Sequence, residues 1–183
     1  MNAVMNVVVV GKEDEPLGQE FDETMSQPEE KNMAGARHSG VGTRLIIKLG
    51  QYLEENEIGA VYGPDATYKL TTRDRLPDVS FIAATRIPVA GEPTGSWEMA
   101  PDLAVEVISP NDVYDQVVGK VAEYFAAGVK QVWLISPEYK TVTLYRSPSQ
   151  AIILFEDEEL TSEELLPGFR CAIRELFKQP QRR

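Results

Sequence analysis

The chain has 183 residues, 29 acidic against 18 basic, with 43% hydrophobic content, one His and one Cys. That length suits one domain of about 100–200 residues with a true core. A lone Cys171 excludes an intramolecular disulfide or a Cys-rich zinc cage, and a lone His38 excludes a multi-His metal site.

No run of about 18 apolar residues is present to span a membrane. Residues Met1 to Asn6 lack the basic start of a signal peptide. The chain therefore reads as soluble and cytoplasmic. Its net charge of −11 argues at first against nucleic acid. The charge is unevenly spread, however. Residues 13–30 carry eight acids and no base, and residues 156–164 carry six acids and no base. Outside these two runs bases outnumber acids, so a phosphate-containing substrate stays open.

In chain order, residues 1–37 read as an acidic, weakly ordered lead-in with Pro16, Pro28 and no clear period. Residues 38–183 read as a single domain. Val41, Leu45, Leu49, Tyr52 and Leu53 form one stripe of an amphipathic helix, with Ser39 as the expected N-cap and Gly59 beyond its end. Strand-like runs follow at Ala60 to Tyr62, Thr67 to Thr71 and Val79 to Ala83, and then a Pro- and Gly-rich surface loop from Arg86 to Asp102. Leu103 to Ile108 is nearly all apolar with Glu106 inside it, the pattern of a central strand.

A second helix is predicted from Asp115 to Ala127, with Val118, Val121, Ala122 and Phe125 on one face and Gly128 as its stop. Val129 to Ile135 is the next strand. Thr141 to Tyr145 and Ala151 to Phe155 flank a Ser-Pro-Ser-Gln turn and read as a hairpin. Leu166 to Phe169 reads as a turn, and Ile173, Leu176 and Phe177 as a short terminal helix. Strand–helix–strand around Glu106 to Ile135 implies a parallel pair beside an antiparallel hairpin. The expected architecture is α/β, a mixed sheet flanked by helices.

The dinucleotide and P-loop glycine patterns and the GxSxG nucleophile turn are absent, which leaves carboxylates as candidates. A charged Glu106 inside an apolar strand requires compensation worth several kcal/mol. An ion pair with a neighbouring Lys or Arg supplies it, and so does a divalent cation shared with Asp78 at the start of another strand. Lys120 falls just off the apolar stripe of the second helix. It is either a solvated lysine or one that lays its stem along the sheet toward a site.

The blocks Arg75-Leu76-Pro77-Asp78, Pro101-Asp102-Leu103-Ala104-Val105-Glu106-Val107-Ile108-Ser109-Pro110, Lys120 to Val129 with Trp133 to Pro137, and Leu166 to Phe169 come in this order over about residues 38–177. Together they resemble the Uma-type family of bacterial restriction endonucleases within the PD-(D/E)XK nuclease superfamily. The resemblance implies a restriction-endonuclease-like fold with Asp78 and Glu106 as metal ligands. The superfamily lysine expected two residues after the acid is replaced by Ile108, and Lys120 matches the helical lysine that substitutes in this family. His38 matches a family histidine before the first helix, with a structural, substrate-orienting or catalytic part all open. Glu54 or Glu55 is a candidate for the helix acid of some superfamily members. Asp112 and Asp115 are candidates to cap the second helix or to hold metal.

The function implied is a Mg²⁺-dependent endonuclease, Mn²⁺ being an alternative ion, which hydrolyses DNA with Asp78, Glu106 and Lys120 as catalytic residues and a homodimer as a compatible assembly. The competing readings are a non-catalytic nucleic-acid-binding or regulatory protein on a nuclease fold, and a metal-free carboxylate-pair hydrolase such as a glycosidase.

Overall fold

Alternation of apolar side chains along the strands decides the layers. In a computed structural model, described here over residues 35–180, β5 (Leu103–Val107) turns Leu103, Val105 and Val107 to one face and Ala104 and Glu106 to the other. The first face packs on α1 (Ala36–Glu55) through Val41, Leu45 and Leu49. The second face packs on α2 (Tyr114–Ala126) through Val121 and Tyr124.

Six strands make the main sheet in the order β1-β4-β5-β6-β7-β8. These are β1 (Gly59–Tyr62), β4 (Val79–Ala83), β5, β6 (Gln131–Ser136), β7 (Thr141–Ser147) and β8 (Gln150–Leu154). Only β5 and β6 are parallel, joined by α2, and every other pair is antiparallel. The mixed sheet flanked by helices is the α/β architecture expected. Short pairs complete it: β2 (Tyr68–Lys69) with β3 (Asp74–Arg75), and β9 (Glu159–Ser162) with β10 (Leu166–Ala172). The terminal helix α3 (Ile173–Leu176) closes the α1 side of the core.

Four local expectations change. The first helix begins at Ala36 with Gly35 as N-cap, so Ser39 lies inside it and His38 sits in its first turn rather than before it. Gly35 makes no side-chain cap bond, which removes the signal that a capping residue gives. The buried face of α2 is Val121 and Tyr124 with Val117 half-buried, whereas Val118 and Ala122 face outward. The helix is apolar around much of its girth, and polar contacts to the sheet fix its rotation. Leu166 to Phe169 opens β10 instead of forming a turn. The pairing shifts between Leu166 and Arg170, and Gly168 (φ 80°) takes the left-handed backbone that glycine tolerates. Lastly, the surface loop after Arg86 buries part of its length. Trp97 is buried, bridges Tyr68 and meets the Tyr62 ring edge-on at 5.4 Å. Of the acidic lead-in, residues 1–34 fall outside the described residues, while Gly35 is the N-cap of α1 and Ala36 and Arg37 belong to it.

Candidate active site

Open α/β sheets receive ligands outside the carboxyl ends of their strands. Glu106 and Val107 form the carboxyl end of β5. Asp78 arrives beside them from the neighbouring strand, because Val79 on β4 pairs with Val105 on β5. The Val107 N–H donates to Asp78 Oδ2 at 2.8 Å, which ties the first acid to the backbone next to the second.

Each acid is gripped by a different helix. From α1, His38 Nε2 lies 3.3 Å from Asp78 Oδ2, with both side chains largely buried. The hydrogen bond to Asp78 raises the His38 pKa above its ordinary 6.5, burial opposes this, and the charges of Asp78 and Asp112 and the Val107 backbone reinforce it. From α2, Lys120 Nζ lies 3.3 Å from Glu106 Oε2 and the Tyr124 hydroxyl donates to Glu106 Oε1 at 2.6 Å. A buried carboxylate with a cation and a hydroxyl on it is a compensated charge, and Lys120 is the ion-pair partner that Glu106 required.

A strut sets the rotation of α2. Arg75, nearly inaccessible at the end of β3, donates through Nε to Glu123 Oε2 at 2.9 Å. Glu123 lies between Lys120 and Tyr124 along the helix, and with the strut made those two face Glu106. Ile108, where the superfamily lysine is expected, packs instead against the apolar layer under α2.

Other acids stand apart. Glu54 and Glu55 are exposed in the last turn of α1, about 24 Å along the helix axis from His38 at 1.5 Å per residue. Asp112 receives the Ser109 N–H on Oδ2 at 2.7 Å and so closes the turn after β5. The N-cap of α2 is Val113, and Asp115 sits in its first turn. Asp102, at the opposite end of β5, is wholly buried and structural: it pairs with Lys130 at 2.9 Å and Arg86 at 3.1 Å and accepts the Ala83 N–H. Burial pushes its pKa up, but that bond and the two cations outweigh burial and lower it.

Sequence reasoning did not assign Tyr124 a part in the site. The signal was present: Tyr124 follows Lys120 by four residues, which on a helix is the same face one turn on. The Arg75–Glu123 strut gave no such signal, because two opposite charges 48 residues apart look like ordinary surface groups.

A six-stranded mixed sheet flanked by helices, with Asp78 and Glu106 side by side on adjacent strands and Lys120 on the crossover helix, is the α/β architecture of this chain. The chain belongs to the Uma2 family, described as "Putative restriction endonuclease", whose model matches residues 27–174. Its fold is similar to that of a solved structure from Anabaena variabilis ATCC 29413, described as a "putative nuclease belonging to DUF820". That likeness has a TM-score of 0.74 at 22% sequence identity and covers 81% of this chain and 84% of the other. No curated protein matches the chain. Among the described residues, no helix is long and apolar enough to cross a membrane.

Proposed function

We propose that the protein is a Mg²⁺-dependent endonuclease that hydrolyses DNA phosphodiester bonds, with Mn²⁺ able to replace Mg²⁺. The observation that carries the reading is the Lys120 ammonium on Glu106 at the carboxyl end of β5, one strand from Asp78. Membership of a family described as "Putative restriction endonuclease" supports it.

The donor chemistry fits the ion. Asp78 and Glu106 offer hard carboxylate oxygens, and Mg²⁺ is commonly held by one or two carboxylates with water completing the shell. Among the described residues no cluster of three or more His, Cys, Asp or Glu could form a fuller metal cage. The ion, when bound, supplies Lewis-acid neutralisation of phosphate charge and acidifies water.

The remaining work falls to the chain. Lys120 brings a fixed positive charge to where negative charge grows on the scissile phosphate, and its ammonium orients the attacking water. His38 and the Val107 N–H hold Asp78 in place, so both acids are oriented before substrate arrives. Cutting both strands of a duplex calls for two such centres, which a homodimer supplies. The single buried thiol, Cys171, suits a reducing cytoplasm.

A second reading has its own observation. Both acids already have cationic or hydrogen-bonding partners, so the network also suits a nucleic-acid-binding or regulatory protein that cuts nothing. One experiment decides. Cleavage of plasmid and single-stranded DNA is followed with Mg²⁺, with Mn²⁺ and with chelator, for the parent and an Asp78→Ala/Glu106→Ala double variant. Ion-dependent cleavage lost in the double variant is expected. A parent that binds DNA without cleaving it under any ion establishes the second reading.

A further inference from the structure

Tyr124 is wholly buried, and its hydroxyl is costly to bury without a partner. The ring alone would fill the space beside Ala104, Val132 and Leu134. The hydroxyl is spent on Glu106 Oε1 at 2.6 Å, while Lys120, one turn earlier on the same helix face, takes Oε2. Two donors from one rigid helix hold the two oxygens of one carboxylate. That fixes the terminal torsion of Glu106, which is otherwise broad and soft.

We propose that Tyr124 is a positioning residue that presents Glu106 to the divalent ion and thereby sets the ion affinity of the site. The inference rests on the metal-dependent reading above. Its physical basis is preorganisation: a ligating carboxylate held by an outer hydrogen bond loses less freedom on binding, and removing such a partner typically lowers metal affinity 10–100-fold. Tyr124 suits this part because it orients the acid without adding a positive charge that opposes the incoming cation. Lys120 pairs with the same acid and does add that charge.

The test is Tyr124→Phe, which keeps the ring and removes only the hydroxyl. Mn²⁺ binding to the protein without nucleic acid is measured by the electron paramagnetic resonance of the free ion, together with the thermal midpoint and the Mg²⁺ dependence of cleavage. The expected result is a Mn²⁺ affinity about 10–100-fold weaker than the parent. The Mg²⁺ needed for half-maximal cleavage should rise by a similar factor, with kcat at saturating ion within about threefold of the parent. In a Glu106→Ala background the same substitution should leave ion affinity unchanged, since Tyr124 acts through Glu106.

Parent-like Mn²⁺ affinity in a folded Tyr124→Phe protein overturns the proposal and leaves the hydroxyl a structural group, and so does failure of the variant to fold. A parent that binds Mn²⁺ but never cleaves overturns the nuclease reading, while the affinity comparison still decides the part of Tyr124. A parent that neither binds Mn²⁺ nor cleaves overturns both.

Discussion

Removing one member of a buried charge pair leaves the other uncompensated, which is why Lys120 and Glu106 must be considered together. Lys120→Met keeps the aliphatic stem along the sheet and deletes the ammonium. Cleavage under single-turnover conditions should fall at least tenfold, about 1.4 kcal/mol of transition-state stabilisation. Parent-like rates would assign Lys120 to stability alone. His38 makes a prediction in pH. Its pKa is raised first by the hydrogen bond to Asp78 and further by Asp78, Val107 and Asp112. A raised folded pKa means the contact stabilises fully below the unfolded value of 6.5 and is lost as pH climbs through the folded value. The gap in thermal midpoint between the parent and His38→Gln should therefore be wider at about pH 6 than at about pH 9. An equal gap at both pH values would mean that the imidazole does not change its protonation state between them.

At the scale of elements, what the sequence made legible was apolar periodicity, and what it hid was polar pairing across long separations. The run around Glu106 marked a central strand because buried strands are apolar on both faces, and the charge inside it marked the candidate site. Asp102, at the other end of β5, carries the same charge under fuller burial, and only Arg86 and Lys130 make it structural. No local pattern distinguishes the two acids. The rotation of α2 was hidden for a related reason: Val118 and Ala122 are as apolar as Val117 and Val121, and the Arg75 strut with the Glu106 contacts selects the face. Glycine spacing concealed a close approach. A Cβ at Gly59 would strike the Ile82 carbonyl oxygen and the Phe81 ring, where β1 lies against β4. A backbone oxygen in a sheet cannot step aside, so Gly59→Ala should destabilise by about 1–3 kcal/mol, read in denaturant unfolding. An unchanged midpoint would show that β1 can slide along β4.

For the whole molecule, net charge and proposed substrate pull in opposite directions. A chain at −11 meets a polyanion, and affinity for DNA depends on how its acids are arranged. Residues 1–26 hold six acids and a single base, Lys12, and precede the span matched by the family model. Gly35, where the described residues begin, leads directly into the α1 turn that carries His38 beside Asp78, and the acids before it are joined to the fold through that turn. Fixed negative charge there repels phosphate over roughly one Debye length, about 10 Å at 0.1 M salt and 30 Å at 0.01 M. Deleting residues 1–26 should then tighten binding to non-specific duplex DNA by about tenfold near 0.02 M salt, with the two proteins converging above about 0.3 M as screening sets in. The check is a salt titration of affinity for both proteins, with Asp78 and Glu106 replaced by Ala so that cleavage does not interfere. The plot of log affinity against log salt should be steeper for the truncated chain, because more of its phosphate contacts count when no acidic arm competes for the bases. Coincident lines from a folded truncated protein would remove the arm from the electrostatics of binding. Dissociation or aggregation of the truncated protein would instead make the arm part of the folded structure or of a subunit contact.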